Sequence, residues 1–183
     1  MRTSTCAPRH ARLDTSAPTS AAIAIMEANI TVRAACTSDA PRLARMRYDF
    51  RAQTHGAGEP PDAFVQRCAA WMAERLGDGS PWRCWVAERG DELVGAIWVQ
   101  VVEKIPNPAS EPEEHAYISN FYVPESGRGS GIGSMLLTTV LAWCDARPVE
   151  SVILWPSARS RPLYERFGFT AGHGILERPG AHP

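Results

Sequence analysis

Hydrophobic and polar positions in the first half of the chain predict one strand followed by two helices. Residues 30–35 alternate between apolar and polar, as a short strand does. Residues 37–39 supply side-chain oxygens that can cap a helix start, and Pro41 suits a first helical turn. A second helix is predicted from Asp62, because the apolar positions behind it recur at helical spacing: Val65, Cys68, Ala69, Met72 and Leu76.

The second half of the chain is predicted to continue as sheet and then to alternate strands with helices. Strands over 83–88 and 92–102 flank a turn at Gly90, and the later strand is apolar on both faces, which is typical of a central strand. The remaining elements are predicted in this order: a strand over 116–123, a helix from Gly131, a buried strand over 151–155, a helix over 157–167 and an irregular strand over 169–176.

This order of elements predicts an α/β (α+β mixed) fold, with a central mixed, mostly antiparallel sheet of six to seven strands flanked by about four helices. The domain should span residues 28–179 and be followed by a tail over 180–183. Residues 1–27 have almost no large apolar side chains, so we predict a disordered N-terminal extension. Because a strand pattern follows Met26 closely, we hypothesise that translation begins at Met26, which mass spectrometry of the native N-terminus would test.

Composition excludes several classes of function. The net charge is −1 and the isoelectric point is about 6.5, so clustered positive charge for nucleic-acid binding is not expected. No apolar run approaches the roughly 20 residues that span a bilayer, which predicts no membrane association. The 5 cysteines are widely spaced and form no Cys-x-x-Cys pair, so neither a disulfide framework nor a metal site is predicted. A reducing, cytoplasmic location fits such cysteines.

The glycine-rich turn between the predicted strand at 116–123 and the next helix carries the strongest chemical signal. It runs Val123-Pro-Glu-Ser-Gly-Arg128-Gly-Ser-Gly131-Ile-Gly133-Ser134. The first amides of a helix have no internal acceptor and lie at the positive end of its dipole, so they suit a pyrophosphate. Glycine permits close approach of the ligand, and Arg128 adds positive charge. The spacing fits neither a P-loop nor a dinucleotide-binding fingerprint, but it fits Arg-x-x-Gly-x-Gly.

Three features together make the chain resemble the GNAT superfamily of N-acetyltransferases. The strand residues 120–123 precede the turn, the turn contains Arg128, Gly131 and Gly133, and the segment 161–169 resembles the closing Leu-Tyr-x-x-x-Gly-Phe helix of the family. The order of elements over 29–178 also agrees. The resemblance implies a GNAT fold and an acyltransferase that moves an acetyl group from acetyl-CoA to a primary amine by direct attack, with no metal.

The resemblance also implies roles for individual residues. The main chain of Phe121 and Val123, with Tyr122 between them, should hold the pantetheine arm in a slot between splayed strands. A tyrosine hydroxyl near pKa 10 can protonate a thiolate whose conjugate acid is near 8.5, so Tyr164 is the candidate catalytic acid, the alternative being an aromatic packing role. The remaining cofactor-binding candidates are Arg128, Gly129, Ser130, Gly131, Ile132, Gly133, Ser134 and Ser157, the last standing where many relatives carry Asn.

The general base and the acceptor stay open at this stage. Some relatives carry a Glu base where this chain has Tyr117; strict alternation puts Ser119 on the face of Tyr117 and Asn120 on the other. Glu59, Glu103 and His115 are candidate bases, and a water relay is an equal alternative. Acidic residues in the loop over 103–115 could favour a cationic amine by electrostatic steering, or could simply be solvated.

Two kinds of function compete on the sequence. The leading one is an acetyltransferase that acts on a small-molecule amine, or else on a protein amine, as a monomer or a homodimer. The alternative is a non-catalytic module that binds acyl-CoA as a sensor. An acetyltransferase acting on aminoacyl-tRNA is disfavoured by the near-neutral charge.

Overall fold

A computed structural model describes residues 30–56 and 58–171. The described part contains one 5-stranded sheet in the order β1-β2-β3-β4-β5, in which only β4 and β5 run parallel. The strands are β1 (Ile30–Ala34), β2 (Trp82–Arg89), β3 (Glu92–Glu103), β4 (Glu114–Tyr122) and β5 (Val149–Ile153). The α-helices are α1 (Ala40–His55), α2 (Pro61–Arg75), α3 (Ile132–Asp145) and α4 (Arg161–Arg166), and short 3₁₀ turns span Thr37–Asp39 and Glu125–Gly127.

The predicted mixed, mostly antiparallel sheet flanked by helices is confirmed, with a smaller strand count in the described residues than the six to seven expected. Most of the predicted strand over 169–176 lies outside the described residues, and 169–171 form no strand. Helix α4 begins at Arg161 rather than 157, because Ser157 and Ser160 form a turn before it. The extension over 1–27 and the tail over 180–183 lie outside the described residues and stay predictions.

Helices cover the sheet on both faces. Leu136, Leu137 and Val140 of α3 are fully buried against Ile97 and other residues of the central strands. On the opposite face, α1 and α2 pack on a second cluster that includes Leu43, Met72, Val86 and Trp98. Helix α1 contacts β4 from one face, and α3 contacts β5 from the other.

A β-bulge interrupts β4 near its end. Trp98 of β3 lies opposite Ser119, yet Ala96 lies opposite Tyr122, so β4 contains one extra residue. Asn120, inside the bulge, has a φ of 46°, a left-handed conformation that Asn tolerates better than most residues. Bulges bend the strand that carries them and increase its twist.

The edge of β4 beyond the bulge is not covered by β5. The parallel pairing of the two strands ends at Tyr117 and Ile153, although β4 continues to Tyr122. Residues 118–122 therefore lack a strand partner on this side within the described part of the chain. The two strands thus stop pairing where the family resemblance implies a slot, and binding of a cofactor in that slot stays a prediction.

Candidate active site

A cleft of about 650 Å³ lies where β4 and β5 stop pairing. Residues 118–123 form its floor. One wall is the glycine-rich turn with the start of α3, and the other runs from the end of β5 into α4. Phe50 of α1 and Tyr164 of α4 both line the cleft, which therefore joins the two helical layers.

The amides at the start of α3 have no acceptor among the described residues. The 3₁₀ turn uses the N–H groups of Gly127 and Arg128, which donate to Pro124 O at 2.9 Å and Glu125 O at 3.1 Å. The helix ladder starts with Met135 N donating to Gly131 O at 3.0 Å. Between them, the N–H groups of residues 129–134 find neither a main-chain nor a side-chain acceptor in the described chain. Such amides suit an anion.

Two glycines of the turn are required by backbone conformation. Gly129 has a φ of 80° and Gly131 a φ of 85°, and a side chain would strain both positions. Gly133 lines the cleft, where a Cβ would meet only Leu163 at 3.4 Å and Phe121 at 3.6 Å. The turn therefore uses glycine for its shape and for open space above the helix start.

Arg128, Ser130 and Ile132 play more structural parts than the sequence indicates. The Arg128 side chain donates to Val123 O at 3.2 Å and pairs with Glu125 at 2.7 Å, so its charge is partly neutralised. The Ser130 hydroxyl donates to Gly127 O at 2.6 Å, and the Ile132 side chain is buried in the core. Only the main-chain N–H groups of Ser130 and Ile132 remain to contact a cofactor.

Tyr164 lies on the wall of the cleft and is only 6% exposed. Its ring makes edge-on contacts with Phe121 and Phe169, at centroid distances of 6.1 and 5.6 Å. Burial raises the pKa of its hydroxyl to about 12, so Tyr164 keeps its proton at neutral pH. The hydroxyl makes no hydrogen bond within the described chain, which leaves it able to donate to a ligand.

Ser157 lines the same wall, but its hydroxyl is already used. Ser157 Oγ and Ser160 Oγ are 2.9 Å apart, and Ser157 Oγ also accepts from Ser160 N at 3.2 Å. The pair closes the turn that leads into α4. Contact between the Ser157 hydroxyl and a cofactor stays a prediction, and it would have to be made in addition to the two hydrogen bonds with Ser160.

None of the candidate bases reaches the cleft. Glu59 pairs with Arg67 at 2.6 Å on the surface, and His115 Nδ1 lies 2.9 Å from Ser151 Oγ on the edge next to β5. Glu103 ends β3, far from the bulge. No Asp or Glu of the described chain lines the cleft, whereas Arg128, Arg159 and Arg166 do.

The acidic residues of the loop over 103–115 lie at the end of β4 away from the cleft, and two of them are in ion pairs. Lys104 pairs with Glu111 at 3.2 Å, and Arg147 pairs with Glu114 at 3.0 Å. The loop joins the start of β4, whereas the cleft lies along the last residues of that strand. Electrostatic steering of a cationic amine by this loop therefore loses its support.

The bulge corrects the prediction that Asn120 lies on the face opposite Tyr117. Ser119 stands opposite Trp98 and Tyr122 opposite Ala96, so both face α1 and α2. Arg47 of α1 donates to Asn120 Oδ1 at 2.9 Å, which places the Asn120 side chain on that face as well. The extra residue cancels one step of alternation, and no local sequence signal announces it.

The Tyr122 and Arg47 side chains lie on the same side of the sheet, the side that α1 and α2 cover. The Tyr122 ring packs on Phe50 with centroids 5.1 Å apart, so only the main chain of Tyr122 can serve the slot predicted for pantetheine. No residue of α1 is among the sequence-based site candidates, so they do not include Arg47, which lies one helical turn before Phe50. Only the fold shows that this turn of α1 faces the bulge.

The chain matches the family model of the Acetyltransferase (GNAT) family over residues 43–169, well over half its length. It belongs to the GNAT acetyltransferase family. A probable N-acetyltransferase of Mycobacterium tuberculosis is 28% identical over 153 residues, which cover 77% of this chain and 80% of the relative.

Solved GNAT structures share the fold. A predicted acetyltransferase from Clostridium acetobutylicum, solved with acetyl-CoA, aligns with a TM-score of 0.68 at 21% identity and covers 84% of this chain and 100% of that one. An aminoglycoside acetyltransferase from an uncultured soil metagenomic sample, solved in complex with sisomicin, aligns with a TM-score of 0.64 at 16% identity and covers 84% and 97%. The GNAT fold implied by the sequence resemblance is thereby confirmed.

Within residues 30–56 and 58–171 of this GNAT chain, no helix combines the length and the apolar character needed to cross a membrane. The same residues contain no group of three or more His, Cys, Asp or Glu side chains arranged to hold a metal ion.

Proposed function

We propose that the protein transfers an acetyl group from acetyl-CoA to a primary amine, in first place that of a small molecule. The observation that carries the proposal is the row of acceptor-less amides over 129–134, which opens into a cleft containing the protonated hydroxyl of Tyr164. The amides would bind the pyrophosphate. Arg128, Arg159 and Arg166 would supply positive charge to the phosphates.

The uncovered edge of β4 would hold the pantetheine arm as an added strand. The Val123 carbonyl is occupied by Arg128, but the Val123 N–H has no acceptor among the described residues. That N–H would stabilise the oxyanion that forms when the amine attacks the thioester carbonyl. Acetyl-CoA supplies the activated acetyl group, and the protein supplies position and hydrogen-bond donors.

The chemistry forms a C–N bond and breaks the C–S bond of the thioester. The attacking amine must lose a proton, and water would take it, since no carboxylate of the described chain lines the cleft. The departing thiolate would receive a hydrogen bond, and then a proton, from Tyr164. With a pKa of about 12 against about 8.5 for a free thiol, Tyr164 is the weaker acid, so its hydrogen bond to the developing thiolate is its main contribution. Any proton that Tyr164 passes to the thiolate would be replaced from water.

The experiment is an acceptor screen with labelled acetyl-CoA on the wild type and on Tyr164→Phe. We expect turnover to fall about 100-fold to 10,000-fold in the variant, with the Kd for acetyl-CoA unchanged. Tyr48→Phe is the matched control, because Tyr48 packs on Phe64 at a centroid distance of 5.7 Å and does not line the cleft. Equal turnover by Tyr164→Phe would refute the acid role, and acetyl-CoA binding without turnover on any amine would favour the sensor.

A further inference from the structure

Arg47 is a half-buried cation at the α1 side of the cleft. It donates to Asn120 Oδ1 at 2.9 Å, and its guanidinium carbon lies 5.7 Å from the centroid of the Phe50 ring. Asn120 and Phe50 both line the cleft, and Arg47, which contacts both, lies behind that part of the lining. This side of β4 is opposite the face that carries Tyr164.

No carboxylate of the described chain pairs with Arg47. Seven other arginines of the described residues have such a partner: Arg33, Arg42, Arg45, Arg67, Arg75, Arg128 and Arg147. Burial and then the nearby charge of Arg51 lower the pKa of the Arg47 guanidinium, and both disfavour a cation that lacks a counter-ion. Burial raises the pKa of the neighbouring Cys68 thiol, so Cys68 supplies no negative charge.

We infer that Arg47 binds a carboxylate of the acceptor, so that the substrate is an amine that also carries a carboxylate, such as an amino acid. This inference rests on the proposed function and names its substrate class. A guanidinium carries several N–H donors in one plane and matches a carboxylate with two parallel hydrogen bonds. Asn120 accepts one hydrogen bond and orients the guanidinium at the bulge. No carboxylate of the described chain lines the cleft, so nothing there would pair with the ammonium groups of a polycationic acceptor.

The test compares common L-amino acids with their carboxamides, which keep the amine and lose the negative charge. Each compound is titrated by calorimetry into the full chain saturated with coenzyme A, and is assayed separately for acetyl transfer. We expect at least one amino acid to bind about 10- to 100-fold more tightly than its carboxamide. Carboxamides that bind as well as every amino acid, or amino acids that do not bind, overturn the inference. Since the titration needs no turnover, it stands apart from the assay, which tests acetyl transfer itself.

Variants separate recognition from support of the bulge. Arg47→Gln should lose about 10- to 100-fold in affinity for the amino acid but not for its carboxamide, with coenzyme A binding unchanged. Arg45→Gln is the matched control, because Arg45 lies on the same helix and pairs with Asp62 at 3.3 Å on the surface. Asn120→Asp would give Arg47 an internal counter-ion and should also abolish the preference. Equal losses for both ligands in Arg47→Gln would show a structural role only.

Discussion

Helices α1 and α3 lie on opposite faces of the sheet, and both follow a 3₁₀ turn. The polar groups before α1 have hydrogen-bond partners within the described residues, whereas the main-chain amides at the start of α3 do not. Before α1, the buried Asp39 carboxylate accepts from Arg33 at 2.7 Å, from Arg42 at 2.7 Å and from the Cys36 N–H at 2.9 Å. Before α3, Gly131 offers no side chain, and nearby amides have no acceptor in the described chain. The Asp39 carboxylate caps the 3₁₀ turn that leads into α1 and makes no cap bond to the amides of α1 itself. A turn whose polar groups the protein satisfies itself adds stability, whereas amides without an acceptor remain available to a ligand.

The largest expected effect is on the free energy of unfolding and comes from removing the Asp39 carboxylate before α1. Asp39→Ala removes the buried acceptor of Arg33, Arg42 and the Cys36 N–H. Both guanidiniums are partly exposed and Arg33 keeps Glu88, so the loss is that of the charged hydrogen bonds and their buried partner, about 3 kcal/mol. We expect that loss in the free energy of unfolding, measured by urea denaturation, with acetyl-CoA affinity of the folded protein retained. Asp49→Ala, at an exposed position of α1, is the control. A loss no larger than that of the control would show that the cluster does not stabilise α1.

The contribution of Asp39 to stability should also depend on pH. Burial opposes ionisation of Asp39, but the hydrogen bonds from Arg33 and Cys36 outweigh it and hold the pKa below the ordinary 3.8. A lowered folded-state pKa contributes stability above the ordinary value, and this contribution is lost as pH falls below about 4. Asp39→Asn should therefore flatten the acid limb of a stability–pH curve. An unchanged acid limb would contradict the role of this carboxylate.

The next effect comes from making the α3 start resemble the α1 start. Ser134 is the third residue of α3, where a Glu can reach back to the amides of the helix start. Ser134→Glu should raise helix stability by about 0.3–1 kcal/mol and weaken acetyl-CoA binding roughly 100-fold, because its charge competes with the pyrophosphate. Thermal unfolding and calorimetry measure the two effects, and Ser134→Gln is the neutral control. Undiminished acetyl-CoA affinity in Ser134→Glu would place the cofactor elsewhere.

This contrast also shows how far the sequence could predict the structure. The turn at the start of α3 follows from local spacing, and the family resemblance points to Tyr164; both line the cleft, while their roles toward a cofactor stay predictions. Asn120 was assigned to the wrong face, because a single inserted strand residue changes the facing of all that follow. Arg47 was missed and the pairing of Arg128 with Glu125 was not foreseen, because both depend on contacts that only the folded chain creates.

The smallest expected effect is on acetyl-CoA affinity and comes from an exposed arginine that lines the cleft. Arg159 is exposed and lines the cleft, so its attraction to a phosphate is screened and worth about 0.2–1 kcal/mol. Arg159→Gln should weaken acetyl-CoA binding up to about fivefold at low salt and less at high salt, as calorimetry at two ionic strengths would show. Arg161→Gln is the control, because Arg161 is also exposed but does not line the cleft. A loss in Arg159→Gln that persists at high salt would instead indicate a specific hydrogen bond to the cofactor.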